Sequence, residues 1–94
     1  MSIGLKKKLK GSLNEVRNDN AKVQIGKNGL TPAVFKAIND QLDMHQLIKA
    51  KFLTNYLTED LDGDIKKIAK ETKSQLVEKR GKTIILYKPK NLDS

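Results

Sequence analysis

Cysteine and tryptophan are both absent from this chain of 94 residues. Without cysteine the protein forms no disulfide bond, binds no cysteine-ligated zinc and performs no thiol catalysis. Two phenylalanines and two tyrosines are too few for the base-stacking surface of RRM domains. No apolar run approaches the roughly 20 residues of a membrane-spanning helix, and residues 1–8 do not resemble a secretory signal. We therefore expect a cytoplasmic protein without a membrane partner.

Positive charge is the dominant feature of the composition. Lysine and arginine number 19 against 11 acidic residues, which gives a formal net charge of +8. The excess lies at both ends of the chain, with +5 in residues 1–30 and +4 in residues 61–94, whereas residues 31–60 carry −1. This distribution favours a polyanionic partner such as nucleic acid. A lysine-rich surface that only maintains solubility is the alternative.

The spacing of apolar residues predicts a single α/β domain over residues 1–94, with a frayed tail in residues 89–94. A basic amphipathic helix comes first, and a second helix runs from Pro32 to about Leu42. A third helix starts in the acidic stretch from Asp60 to Asp64 and has Ile68 on its inner face. The strands are predicted over residues 22–25, 46–53, 74–79 and 83–87. The last of them is nearly all apolar and is therefore expected at the centre of its sheet.

These elements follow one another in the order α-β-α-β-α-β-β. Helical crossovers imply parallel strand pairs, while Gly81 lies where a tight turn would join the last two strands as an antiparallel hairpin. The prediction is a small α/β sandwich with a mixed four-stranded sheet and about three helices. No unusual apolar stripe demands a dimer, so we expect a monomer.

The segment from Val23 to Pro32 reads as a short strand, a two-glycine loop and the start of a helix. Its sequence is Val23-Gln24-Ile25-Gly26-Lys27-Asn28-Gly29-Leu30-Thr31-Pro32. The glycines permit positive φ and close approach by a ligand, and a helix N-terminus capped by Thr31 attracts anions. With the charge of Lys27, this segment is a plausible phosphate cradle. A tight strand-to-helix turn without any ligand is the alternative.

Other basic residues are candidates for phosphate contact, and each has a structural alternative. Lys49 and Lys51 share the polar face of a strand, where they can follow a phosphate backbone or simply be solvated. Arg80 and Lys82 flank the predicted hairpin turn. The lysines of the first helix add nonspecific attraction or form a solvated face, and they are Lys6, Lys7, Lys8 and Lys10.

No arrangement of side chains points to catalysis. His45 is the only histidine, and at the start of a predicted strand we expect it to be structural. Asp60, Asp62 and Asp64 crowd one loop, but they lack the glutamate and length of a calcium-binding loop and suit the start of a helix. We therefore expect no enzyme activity, metal, cofactor or small-molecule substrate.

Three blocks of the sequence resemble the CRM domain, the chloroplast RNA splicing and ribosome maturation domain, also called CRS1-YhbY. They are Ile25-Gly26-Lys27-Asn28-Gly29-Leu30-Thr31, Leu47-Ile48-Lys49-Ala50-Lys51 and Arg80-Gly81-Lys82-Thr83-Ile84-Ile85-Leu86-Tyr87. In order and spacing the likeness covers nearly the whole chain, which resembles the stand-alone prokaryotic form. Many bacterial members carry a histidine and a proline-containing turn before the first strand, where this chain reads Arg17-Asn18-Asp19-Asn20-Ala21.

The resemblance implies an RNA-binding protein whose fold is similar to the C-terminal domain of translation initiation factor three. Prokaryotic members of the family are associated with maturing large ribosomal subunits, and plant members with group II intron splicing. The family's RNA-contacting loop corresponds here to Gly26, Lys27, Asn28 and Gly29, and resembles the GxxG loop of KH domains. Its third block includes Arg80 and Lys82, which favours RNA contact there.

Three functions fit the sequence. The first is binding of ribosomal RNA in large-subunit precursors during ribosome assembly, through the GxxG loop and the basic surface. The second is a nucleoid-type protein that binds duplex DNA, and the third is a protein–protein module whose charge only keeps it soluble. Preference for folded RNA over duplex DNA at equal salt separates the first two, and the third predicts little binding to any polyanion.

Overall fold

The computed structural model describes residues 13–89, which form a four-stranded sheet with helices. Residues 13–18 are the described part of α1. The remaining elements are β1 (Val23–Ile25), α2 (Pro32–His45), β2 (Leu47–Phe52), α3 (Leu61–Thr72), β3 (Gln75–Arg80) and β4 (Thr83–Tyr87). The predicted order α-β-α-β-α-β-β is confirmed. Because α2 continues past Leu42, His45 lies in its last turn and not at the start of a strand, as the sequence had suggested.

Two sets of sequence predictions lie outside the described residues. They are the lysines of the first helix, Lys6, Lys7, Lys8 and Lys10, and the tail from residue 90 onward. Within residues 13–89, no helix combines the length and the apolar character needed to span a membrane.

The sheet is mixed, and its strands lie side by side in the order β1-β2-β4-β3. β1 pairs in parallel with β2, with α2 as the connection between them, and β4 pairs antiparallel with both β2 and β3. The central place of β4 agrees with its apolar sequence, since Ile84, Ile85 and Leu86 are all buried. Gly81 has a φ of 56° in the β3–β4 turn, a conformation that glycine adopts at little cost.

The main core lies between one face of the sheet and the pair α2 and α3. Side chains alternate along β2, so Ile48, Ala50 and Phe52 are buried on this face, as predicted. The helices contribute side chains at helical spacing, and these are Ile38, Leu42, Ile65 and Ile68. Packing two helices on one face leaves the opposite face of the sheet for α1.

The end of α1 is attached to that opposite face by charged side chains. The Nε atom of Arg17 donates to both carboxylate oxygens of Glu78 on β3, at 2.9 and 3.1 Å. The Nζ atom of Lys49 on β2 donates to the backbone carbonyls of Arg17 and Asp19, at 3.0 and 3.1 Å. These carbonyls belong to the C-terminal turn of α1 and the residue after it, where a helix lacks internal donors. Lys49 therefore caps α1 and fixes it over the sheet.

The acidic cluster begins α3, as its sequence indicated. Asp60 is the N-cap, and its carboxylate accepts a hydrogen bond from the backbone N–H of Gly63 at 3.0 Å. Asp62 and Asp64 lie in the first turn, where negative charge complements the helix dipole. Lys79 on β3 donates to Asp62 at 2.6 Å and, by this hydrogen bond and its charge, lowers the pKa of that carboxyl.

The Arg17–Glu78 contact predicts how stability responds to acid. The hydrogen bond from Arg17 lowers the pKa of Glu78. The ionised carboxylate therefore makes its full contribution to stability above the unfolded-state pKa of about 4.5, and this contribution is lost as pH falls through the lower folded-state pKa. We expect Glu78→Gln to reduce the free energy of unfolding at about pH 6 and to differ less from wild type at about pH 3. Urea denaturation across this range measures the difference.

Glu71→Gln, which changes an exposed glutamate on α3, is the control for a general effect of charge. A constant gap between Glu78→Gln and wild type from about pH 6 to about pH 3 would contradict the role assigned to this ion pair.

Candidate nucleic-acid interface

Three loops meet at one end of the sheet. Since β1 and β2 are parallel and β4 runs against them, the ends of β1 and β2 lie beside the start of β4. The loops are the GxxG loop (residues 26–29), the β2–α3 loop (residues 53–60) and the hairpin turn (residues 81–82). Backbone hydrogen bonds join them to their neighbours: Leu53 N–H donates to the Ile25 carbonyl at 2.8 Å, and Phe52 N–H donates to the Lys82 carbonyl at 2.7 Å. Segments far apart in sequence thus form one surface.

The GxxG loop is a closed turn that leads into α2. The N–H of Gly29 donates to the carbonyl of Gly26 at 2.9 Å. Thr31 is the N-cap of α2, with its hydroxyl accepting from Val34 N–H at 3.2 Å, and a proline follows in the first turn, as predicted. The carbonyl of Thr31 also accepts from the N–H groups of Val34 and Phe35. Attraction of an anion here therefore depends on the helix dipole and on the loop's own groups.

The two glycines of this loop differ in backbone conformation and in surroundings. Gly29 has a φ of 75°, and a Cβ atom built there meets nothing within 4 Å, so conformation alone disfavours other residues. At Gly26 a Cβ would lie 3.2 Å from Oδ1 of Asn55 and 3.4 Å from Cδ1 of Leu53. The sequence suggested that both glycines give clearance for a ligand. In the structure Gly26 also lies against the β2–α3 loop, whose nearest side chain would have to shift by a few tenths of an ångström to admit a Cβ atom, and clearance for a ligand stays a prediction.

The β2–α3 loop is held in place from both sides. The ring of Tyr56 packs against that of Phe52, with centroids 4.9 Å apart, and its backbone N–H donates to the Leu53 carbonyl at 3.0 Å. Its hydroxyl donates to Asp64 at 2.7 Å, and the Thr58 hydroxyl donates to the same carboxylate oxygen. Partial burial, together with the hydrogen bond to Asp64, raises the pKa of Tyr56 to about 12. The loop is therefore a fixed wall beside the GxxG loop.

Four of the predicted basic residues surround this end of the sheet. Lys27, Lys51 and Lys82 are exposed, and none forms an ion pair with a residue in the range 13–89. The fourth residue, Arg80, lies at the end of β3. Its side chain is 78% exposed, and its Nε atom lies 3.5 Å from Oε2 of Glu78. Lys49 differs, because its ammonium group is bound to carbonyls at the end of α1. The structure thus gives Lys49 a supporting role and leaves its contact with nucleic acid a prediction.

Sequence reasoning did not single out Asn55 or Tyr56. The segment Leu53-Thr54-Asn55-Tyr56 reads only as a polar turn after an alternating strand, and the contact of Asn55 with Gly26 joins residues that are distant in sequence. Nothing in the sequence around Tyr56 indicates that its hydroxyl and that of Thr58 donate to the same carboxylate oxygen of Asp64. In the described part of the chain, no three His, Cys, Asp or Glu side chains are grouped so that they could hold a metal ion.

Comparison with known proteins identifies the family. Residues 5–88 match the CRS1/YhbY (CRM) domain. The chain belongs to this family. "Probable RNA-binding protein YqeI" of Bacillus subtilis is 38% identical over 65 residues, which cover 69% of this chain and 67% of the relative. A protein of Haemophilus influenzae named "RNA-binding protein" is 37% identical over 70 residues, 74% of this chain and 70% of the relative.

The fold is also that of a solved relative. The solution structure of a hypothetical Staphylococcus aureus protein, described as a candidate RNA-binding protein, superimposes with a TM-score of 0.69 and 28% identity. The match covers 86% of this chain and 83% of the relative. Together, these findings confirm the resemblance to the CRM domain and the small α/β architecture that it implied.

The positive φ of Gly29 predicts a specific order of stabilities. Gly29→Ala should lower the free energy of unfolding by about 1–2 kcal/mol, because a Cβ atom disfavours the left-handed conformation. Gly29→Asn should lower it less, since asparagine adopts this conformation more readily. Urea denaturation of the three proteins measures the order. Equal stability of Gly29→Ala and wild type would show that the loop does not need this conformation.

Proposed function

We propose that this protein binds RNA with the end of the sheet where the GxxG loop, the β2–α3 loop and the hairpin turn meet. The observation that carries the proposal is the grouping of Lys27, Lys51, Arg80 and Lys82 around this end by the strand pairing. Phosphate groups attract such side chains without regard to sequence. The names of the Bacillus subtilis and Haemophilus influenzae relatives, both RNA-binding, support the choice of RNA.

Acidic residues also lie near this surface, and three of them are held by partners within the protein. Asp60 caps α3 through Gly63, and Asp64 accepts hydrogen bonds from Tyr56 and a threonine of the same loop. Asp62 is paired with Lys79. These contacts hold the carboxylates at the start of α3, while the basic side chains of the GxxG loop and the hairpin turn are exposed to a ligand.

In the GxxG loop, Gly29 leaves open space on its outer side, where a sugar–phosphate backbone can approach. Lys27 meets a phosphate, and Asn28 hydrogen-bonds the backbone or shapes the turn. Arg80, Lys51 and Lys82 continue the contact along the end of the sheet. Recognition by phosphate position and RNA shape suits a chain with few aromatic residues.

We propose that the RNA bound is ribosomal RNA in a precursor of the large subunit, during assembly of that subunit. This finer assignment rests on the ribosome maturation function of the CRM family, to which the chain belongs. In this proposal the protein acts in the cytoplasm as a monomer and performs no chemistry on its RNA.

The double variant Lys27→Asp/Asn28→Asp tests the GxxG loop. Both residues are exposed, so the core should remain folded while the loop repels phosphate. We expect a loss of affinity for a large-subunit RNA fragment of about tenfold or more at near-physiological salt. Fluorescence anisotropy with labelled RNA measures the affinity, with unlabelled duplex DNA as competitor.

Met44→Asp/Lys70→Asp is the matched control, because it makes the same change in net charge at exposed positions in the last turns of α2 and α3, away from the proposed surface. The control should bind nearly as wild type does. Equal losses of RNA affinity in the two double variants would show that the loop acts only through its net charge. Equal competition by duplex DNA and RNA would favour the DNA-binding alternative.

A further inference from the structure

Between the β2–α3 loop and the hairpin turn lies a cleft of about 390 Å³, lined by Lys51, Phe52, Leu53, Thr54, Asn55 and Lys82. This volume is within the roughly 300–1,000 Å³ of sites that hold small organic ligands. The hydrogen bond from Phe52 N–H to the Lys82 carbonyl fixes the hairpin turn against the end of β2 and so sets the width of the cleft. The cleft is therefore a built feature of the strand pairing.

The charge of this cleft differs from that of its neighbour on the same sheet. The neighbouring cleft, of about 210 Å³, is lined by Arg17, Lys49, Glu78, Arg80, Thr83 and Ile85. There, Glu78 pairs with both arginines, and Lys49 is bound to backbone carbonyls. The larger cleft has two lysines and no carboxylate among its lining residues, so a phosphate entering it meets only positive charge.

Asn55 gives this cleft a group that can distinguish one base from another. Its carboxamide offers both a donor and an acceptor, the combination that proteins use to hydrogen-bond base edges. The loop that carries it is fixed by the Leu53–Ile25 backbone hydrogen bond and by the anchoring of Tyr56 on Asp64. Because the backbone of this loop is already fixed, binding does not have to order it, which favours selective contact.

We propose that this cleft is a second RNA subsite, which takes one unpaired nucleotide next to the segment held by the GxxG loop. Lys51 and Lys82 bind its phosphate, and Asn55 hydrogen-bonds its base. Leu53, which is partly buried at the edge of the cleft, faces the sugar and base. Asn55 lies between the subsites, since its amide oxygen is also close to Gly26, 3.2 Å from the place that a Cβ atom there would take. The proposal rests on RNA binding by this end of the sheet.

The test compares four RNA hairpins that share one stem and differ only in their loops, which consist of A, C, G or U. Asn55→Ala should bind the preferred hairpin about 5–100-fold more weakly than wild type does, and should lose the preference among the four. A disturbed fold would instead weaken all four alike. Thermal unfolding of each variant verifies that the domain is intact.

Salt dependence tests the two lysines. Lys51→Gln/Lys82→Gln should lower the slope of log affinity against log salt by about 0.7 for each lost contact with single-stranded RNA. Lys67→Gln/Lys70→Gln on α3 makes the same charge change at exposed positions away from the cleft and should leave the slope nearly unchanged.

The outcomes separate this subsite from the proposed function. If wild type binds RNA through Lys27 and Asn28, but Asn55→Ala keeps the wild-type preference or wild type shows none, then the subsite is wrong and the function stands. An unchanged slope in Lys51→Gln/Lys82→Gln would overturn the subsite and remove these two lysines from the proposed surface, while loss of binding in Lys27→Asp/Asn28→Asp would still support RNA binding by the GxxG loop. Absence of RNA binding by wild type would overturn both proposals.

Discussion

The pairing of β2 with β1 on one side and β4 on the other determines where the functional groups of this protein lie. Parallel pairing places the ends of β1 and β2 together, and antiparallel pairing brings the hairpin turn to the same end. The backbone hydrogen bonds Leu53–Ile25 and Phe52–Lys82 continue these pairings past the strands into the loops. Without this arrangement, Lys27, Lys51 and Lys82 would be three unrelated surface lysines.

The charged side chains of this protein form two sets, those bound within the protein and those exposed to solvent. Arg17, Glu78 and Lys49 hold α1 on the sheet, and their charges are satisfied within the protein. Lys27 and Lys82 are exposed instead, in loops whose backbones are fixed by hydrogen bonds. A net positive charge alone does not distinguish these two sets. The hydrogen-bonding partners of each side chain do.

The sequence predicted most of the fold because its signals are local. Alternation in β2, the apolar run of β4, Thr31 with Pro32, and the glycine of the hairpin turn each depend on neighbouring residues. The distant contacts were not predictable in this way. Nothing near Lys49 indicates that it caps α1, and nothing near Gly26 indicates that Asn55 lies beside it. These contacts exist only once the chain has brought separate segments together.

The most direct measurement is an NMR titration of the isotopically labelled protein with a ribosomal RNA hairpin that has an unpaired loop. The backbone amides that shift or broaden identify the surface that the RNA covers. RNA binding by the proposed surface should place the strongest effects in residues 26–29, 53–57 and 80–83, with little change along the outer faces of α2 and α3. Strong effects on those helices, with the three loops unchanged, would contradict it.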